Sequence, residues 1–137
     1  MQSRVNKKYP MHRIFLAALL CSALCAAAGC PARSPAGVEN ITPAQFNEML
    51  GRDGVVVIDV REPSELKTLP AVDGARNIPL GKLESRLGEL DKDTSYVLTC
   101  RTGNRSTQAA RIMSRNGFEK LYNLEGGMTR YRAHSVK

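Results

Sequence analysis

The sequence is poor in several residue types that common binding sites require. It has no tryptophan, and its few aromatic residues are not interleaved with basic ones, which argues against a nucleic-acid surface. It lacks the glycine patterns of phosphate-binding and dinucleotide-binding loops. After residue 29 its only histidine is His134, and one imidazole with one thiol offers too few ligands for a metal ion. We therefore expect no nucleic acid, no metal and no cofactor.

Acidic residues are absent from the first 29 positions, which carry four basic residues and then an apolar run over 14–29. That run is sixteen residues long, short of the roughly 20 that cross a membrane as a helix. A basic start, a short apolar run and small residues at its end are typical of a secretory signal. Residues 1–29 are therefore predicted to be a signal peptide outside the folded domain.

The apolar run ends in "AAGC", which resembles the lipobox of bacterial lipoproteins. The resemblance implies cleavage before Cys30, lipidation of Cys30 and a lipid anchor at the periplasmic face of a bacterial membrane. The "AAA" at 26–28 also suits an ordinary signal peptidase, which would leave a soluble periplasmic protein. Residues 30–38 are predicted to form a tether.

A strong charge of one sign is missing once the leader is set aside. The whole chain has 20 basic and 13 acidic residues, but four of the basic ones belong to the leader. The remainder carries about +3, which does not demand a polyanionic partner.

Paired cysteines are also missing. Three of the four cysteines belong to the leader or its cleavage site: Cys21, Cys25 and Cys30. Cys100 then remains as a lone thiol, and a lone thiol in an exported protein suggests intermolecular pairing or reactivity. The alternative is a buried cysteine that acts as a small apolar residue. The flanking Arg101 and Arg105 argue against burial, because cations do not normally line an apolar core.

Strand and helix patterns alternate along the rest of the chain. Strands are predicted at 55–60, 96–99 and 120–124, and helices at 43–50, 81–90 and 106–117. Such alternation predicts a single α/β domain over 39–133, with a mostly parallel central sheet, helices on both faces and a C-terminal tail at 134–137. Ligands of such sheets bind beyond the carboxyl ends of the strands. Cys100 and Asp59 both lie at such ends.

The segment "CRTGNRS" can activate the thiol without a histidine. A thiol has an ordinary pKa of about 8.5, and only its thiolate is a good nucleophile. Backbone N–H groups between a strand end and a helix start can converge on an anion. Gly103 allows the loop to curl, while Arg101 and Arg105 add positive charge. We expect a thiolate held by backbone donors, the helix terminus and cations.

Four segments resemble signatures of the rhodanese family of sulfurtransferases and follow one another in the family's order. They are "VVVIDVREPSEL", "GARNIPL", "YVLTCRTGNRS" and "NLEGGM". The resemblance covers roughly 41–131, and Tyr131 stands where many members have tryptophan. It implies a catalytic Cys100 that becomes a persulfide, an Arg105 that stabilises the charged intermediate, and an Arg101 that contacts the incoming donor.

The resemblance also assigns supporting residues. The rest of the loop, Thr102, Gly103, Asn104 and Ser106, would bind substrate, although Asn104 and Ser106 could instead cap the following helix. Asp59 and Arg61 match the family's Asp-Val-Arg segment, and we expect them to brace the rim as an ion pair.

The implied activity is transfer of sulfane sulfur from a small anion such as thiosulfate to cyanide, a thiol or a protein thiol. Two alternatives stay open: a persulfide carrier or a binding module with little turnover, and a cysteine-dependent phosphatase or arsenate reductase. The latter enzymes have five residues between the cysteine and the arginine, whereas four stand between Cys100 and Arg105. The shorter loop favours sulfur over phosphate.

Overall fold

A computed structural model describes residues 37–135. The predicted signal peptide, the lipidation site Cys30 and most of the predicted tether lie outside these residues. Within them no helix is long and apolar enough to cross a membrane.

The described residues form five strands, five α-helices and one 3-10 helix. In chain order they are β1 (Val38–Ile41), α1 (Pro43–Met49), β2 (Val55–Asp59), α2 (Pro63–Leu66), β3 (Arg76–Asn77), α3 (Leu80–Leu83), the 3-10 helix (Glu84–Glu89), β4 (Ser95–Thr99), α4 (Asn104–Arg115), β5 (Leu121–Leu124) and α5 (Gly127–Ser135). All four strand pairings are parallel, in the order β1-β5-β4-β2-β3. The predicted α/β class with a parallel sheet is therefore confirmed.

The central strands are apolar on both faces because helices cover both. Alternate residues of a strand point to opposite sides, so Ile58 and Leu98 pack on one side while Val57 and Val97 pack on the other. The first side is closed by α3 and α4, and the second by α1 and α5. Full burial of each such side chain stabilises the fold by about 1.5–3 kcal/mol.

The start of α1 follows its sequence signals. The Thr42 hydroxyl accepts a hydrogen bond from the Gln45 N–H, and the Gln45 side chain accepts one from the Thr42 N–H, which together make a capping box. Pro43 occupies the first turn. The helix thereby places Phe46, which is fully buried, against Tyr131 of α5 in an edge-to-face contact with ring centres 5.0 Å apart. The Tyr131 hydroxyl also donates to Asn47 Oδ1 at 2.9 Å, so the tyrosine at this position is well packed.

Three boundaries differ from those expected. The helix predicted over 81–90 is divided into α3 and the tighter 3-10 helix, in which the Leu90 N–H donates to the Leu87 carbonyl. The first strand begins at Val38, inside the predicted tether, because its hydrogen bonds with β5 order it. At the other end α5 continues to Ser135, so His134 is an exposed helical residue and not part of a tail.

Candidate active site

The sheet brings the ends of β2 and β4 together. Asp59 and Thr99 are paired across the two strands, and the Val60 N–H donates to the Thr99 carbonyl at 2.9 Å. Cys100 follows directly and begins the loop over 100–103, which leads into α4 and so to Arg105 in its first turn. The carboxyl edge of the sheet therefore holds both the thiol and the Asp59 carboxylate, as the strand pattern predicted.

Cys100 is buried, with 1% of its surface exposed, and its side chain belongs to the core on the α4 side. The expectation that flanking arginines would oppose burial is wrong. The Arg101 side chain is exposed and the Arg105 side chain is engaged elsewhere, so neither lines the core around the sulfur.

The sulfur accepts hydrogen bonds from the loop that surrounds it. The Gly103 N–H donates to Sγ at 3.0 Å and the Ser106 hydroxyl at 3.4 Å. Burial by itself raises the pKa of the Cys100 thiol, but these two groups and the N–H groups of Ser106 and Thr102 outweigh it and lower that pKa. The thiolate is thus stabilised by nearby donors.

Gly103 shapes the loop. Its φ of 99° lies in the left-handed region, and it stands at the N-cap of α4 without a side-chain cap. The Gly103 carbonyl accepts from the Thr107 hydroxyl at 2.8 Å and also lies 3.0 Å from the Ser106 hydroxyl, whose single proton is shared between this carbonyl and the Cys100 sulfur. Neither Asn104 nor Ser106 therefore caps the helix. The first N–H groups of α4 have no partner within the helix, so they face the loop as potential donors to an anion.

Arg105 forms a two-pronged ion pair with Glu65 of α2, with N···O distances of 2.6 and 2.7 Å. The guanidinium lowers the pKa of Glu65 from its ordinary 4.5 to about 2. Hydrogen bonds are the largest influences that lower the pKa of Cys100, while the charges of Cys100 and Arg105 also interact, as the raised pKa of Arg105 reflects. Sequence reasoning missed Glu65 because the contact joins residues 40 positions apart.

Asp59 and Arg61 form a fully buried ion pair at the same edge. Arg61 Nη2 lies 2.6 Å from Asp59 Oδ2, and Arg61 Nε donates to both carboxylate oxygens. Arg61 Nη1 donates to the Leu69 carbonyl at 2.8 Å, and the Asn77 amide donates to the carbonyls of Asp59 and Arg61. Because every group is hydrogen-bonded, the pair braces the rim where β2 ends.

The start of α5 supports the loop from the opposite side, which sequence reasoning did not foresee. The Met128 N–H donates to the Cys100 carbonyl at 2.8 Å and the Thr129 N–H to the Arg101 carbonyl at 3.0 Å. Gly127 permits this approach, since a Cβ there would lie 2.7 Å from the Arg101 carbonyl carbon and would also clash with the Cys100 oxygen. The signal in the sequence was the Gly126-Gly127 pair.

Next to the loop is a pocket of about 320 Å³. It is lined by residues of the β2 end, α2 and the segment after it, the loop and α5: Arg61, Glu65, Thr68, Leu69, Arg101, Thr129 and Arg132. Thr102 of the loop and Asn104 at the start of α4 are exposed. Of the predicted site residues after position 37, the structure gathers all at this edge of the sheet. Within 37–135 no group of three His, Cys, Asp or Glu side chains could hold a metal ion.

Comparisons with known proteins agree with this architecture. Residues 42–134 match the family described as the rhodanese-like domain. The thiosulfate sulfurtransferase GlpE of Ectopseudomonas mendocina is 33% identical over 95 residues, which cover 69% of this chain and 85% of that protein. The uncharacterized protein YqhL of Bacillus subtilis is 41% identical over 75 residues, which cover 55% of this chain and 59% of that protein. A rhodanese-related protein from Thermoplasma volcanium has a similar structure, with a TM-score of 0.64, 29% identity, and coverage of 72% of this chain and 95% of that one.

Proposed function

The chain belongs to the rhodanese family, and from that premise we propose that it transfers sulfane sulfur through a persulfide on Cys100. The observation that carries the proposal is the environment of the Cys100 sulfur. Sγ accepts the Gly103 N–H at 3.0 Å, and its donors outweigh burial to lower the thiol pKa. A sulfurtransferase relative that is similar over most of its length supports the same activity.

The first half of the reaction loads the enzyme. The Cys100 thiolate attacks the sulfane sulfur of a donor such as thiosulfate, a new S–S bond forms, and the donor's S–S bond breaks. Sulfite leaves with the electron pair of that bond, and the outer sulfur of the persulfide carries the negative charge. The N–H groups at the start of α4 are suited to that charge, because they lack partners within the helix.

The second half of the reaction removes the outer sulfur from Cys100. An acceptor such as cyanide or a thiolate attacks the outer sulfur, the persulfide bond breaks, and Cys100 leaves as a thiolate. With cyanide the product is thiocyanate. The cycle needs no oxidant, no metal and no general base, since every nucleophile enters as an anion.

Arg105 has a structural contact in addition to its expected role of stabilising the charged intermediate. Its guanidinium is bound by Glu65, so we assign it to holding the loop against α2 in addition to contributing charge. Arg101 is exposed at the mouth of the loop and makes no ion pair among residues 37–135, which leaves it available to an anionic donor.

The test is intact-mass analysis of the reduced domain after incubation with thiosulfate. We expect the gain of one sulfur atom, its loss on addition of cyanide, and no gain in Cys100→Ser. Loading without steady turnover would indicate a persulfide carrier. No loading at all would overturn the proposal, and Cys100-dependent hydrolysis of an aryl phosphate would favour the phosphatase alternative.

We also propose that residues 1–29 direct export and that Cys30 is lipidated, on the basis of the basic start, the apolar run and "AAGC". Growth with a labelled fatty acid should label the protein in a bacterial host. Cys30→Ala should lose the label while remaining exported, and labelling that survives this change would contradict lipidation at Cys30.

A further inference from the structure

The pocket beside the loop has a surplus of positive charge. Three arginines and one glutamate line it. The charge of Arg61 is balanced by Asp59 and that of Glu65 by Arg105. Arg101 and Arg132 have no carboxylate partner among residues 37–135, so their charges remain for a ligand.

Arg132 is an unusual member of this lining. The side chain is partly buried, and its Nη2 donates only to the carbonyls of Pro70 and Ala71, at 3.2 and 3.4 Å. Its Nε is buried without any hydrogen-bond partner in the described chain. A buried donor without a partner costs about 1–3 kcal/mol, so such an atom needs an explanation. The atom is closed to solvent where it lies, so an anionic oxygen in the pocket would meet it only after the side chain turns toward the pocket.

The pocket also has room for more than a small inorganic anion. Its 320 Å³ equals the volume of about ten water molecules. Besides the two free cations it offers the hydroxyl of Thr129 and the apolar side chain of Leu69. Such a lining suits an organic molecule with a short apolar stem and a carboxylate. Cys100 itself does not line the pocket, so the pocket holds the part of a substrate that does not react.

We propose that Arg132 and Arg101 bind the carboxylate of an organic thiol that accepts sulfur from Cys100. The inference rests on the proposed function and names the substrate class of the same site. In the step concerned, the thiol loses its proton to solvent and its thiolate attacks the outer sulfur of the persulfide. The persulfide bond breaks, Cys100 leaves as a thiolate, and the organic persulfide departs. Arg132 takes no part in the bonds that form and break. It binds the carboxylate end of the acceptor and so acts as a specificity-determining residue.

The experiment compares two acceptors of similar length, 3-mercaptopropionate and 3-mercapto-1-propanol, with thiosulfate as donor. The measured quantity is the ratio of their kcat/KM values. We expect the wild-type protein to prefer the carboxylate and Arg132→Gln to lower the ratio about tenfold, the value of one charge-assisted hydrogen bond. Arg132→Lys keeps the charge but not the planar guanidinium, so its ratio should lie between those of the wild type and Arg132→Gln.

Arg130→Gln is the matched control. It removes a cation from the same helix, but Arg130 is exposed, pairs with Glu125 and does not line the pocket. The proposal is overturned if the wild type has no preference, or if Arg130→Gln and Arg132→Gln lower the ratio equally. In those cases turnover with cyanide would leave sulfur transfer intact.

A binding measurement decides the question if no acceptor is turned over. The probe is 3-(methylthio)propionate, a thioether that keeps the carboxylate but has no thiol to attack the persulfide. It is titrated into each protein by calorimetry. Binding that is weakened by Arg132→Gln and not by Arg130→Gln would support the subsite. Equal binding to all three proteins would overturn it, independently of the catalytic proposal.

Discussion

Gly127 should be the glycine at which the active-site loop is most sensitive to an added methyl group. Its φ of 57° is in the left-handed region, where a residue with a Cβ costs about 1–2 kcal/mol. The Cβ of Gly127→Ala would in addition stand 2.7 Å from the carbonyl carbon and oxygen of Arg101, closer than real Cβ atoms approach other atoms. Those obstacles are backbone atoms, so they cannot swing aside as a flexible side chain would.

The added methyl group would weaken the hydrogen bonds between α5 and the loop. If the loop and α5 separate, the bonds from the N–H groups of Met128 and Thr129 to the carbonyls of Cys100 and Arg101 lengthen from 2.8 and 3.0 Å. Each such bond contributes about 1 kcal/mol. The strain and both bonds together predict that Gly127→Ala lowers the free energy of unfolding by about 3–4 kcal/mol.

Urea unfolding of Gly127→Ala and Gly54→Ala separates the two effects. Gly54 has a φ of 75° but no atom within 4 Å of an added Cβ, and it precedes β2 at the opposite end of the sheet. Gly54→Ala should therefore show only the strain, about 1–2 kcal/mol. The rate at which Cys100 is alkylated should change in Gly127→Ala and stay the same in Gly54→Ala. Equal losses of stability with unchanged alkylation would refute the reasoning that α5 holds the loop.

Two further predictions concern the site's protons. Ser106→Ala should raise the pKa of Cys100, seen as an upward shift in the pH profile of alkylation by iodoacetamide. Thr107→Ala, which also removes a hydroxyl bonded to the Gly103 carbonyl but none near the sulfur, should not, and equal shifts would contradict the assignment. Because the folded pKa of Glu65 is about 2, its stabilising effect is complete above about pH 4.5 and is lost as the pH falls through 2. Glu65→Gln should flatten that part of the curve of unfolding free energy against pH. At pH 7 it should lower the free energy of unfolding by about 1 kcal/mol, since the ion pair with Arg105 is partly exposed. An unchanged curve would count against a stabilising ion pair.

Much of the fold could be predicted because its signals are local. The β-branched run that contains Val57 and Ile58 predicted a strand covered on both faces, and Thr42 with Pro43 predicted the start of α1. The order of the strands could not be read in this way. Asparagine and glutamate in β1 give a weak strand pattern, and that strand is ordered by pairing with β5, more than eighty positions away in the chain. Likewise, nothing local determines that the turn at Leu87 is a 3-10 helix.

The candidate site shows the same division. Cys100, Gly103 and the start of α4 lie within a few residues, so their arrangement followed from the sequence. The role of Arg105 did not, because it depends on Glu65, and the support of the loop did not, because it depends on α5. An arginine in a sequence shows a charge but not its partner. Here the partner adds to the interpretation, since a guanidinium bound to Glu65 also holds the loop against α2.

This distribution of charge gives the loop two separable properties. The hydrogen bonds from Gly103 and Ser106 determine how readily the Cys100 thiol ionises, and they act within the loop itself. The unpaired cations, Arg101 of the loop and Arg132 of α5, line the neighbouring pocket, where we propose that they select the acceptor. Under these proposals, reactivity and selectivity rest on different residues. We then expect that a substitution in α5 changes the preferred acceptor without altering the donors to the sulfur, because those donors come from the loop and from α4.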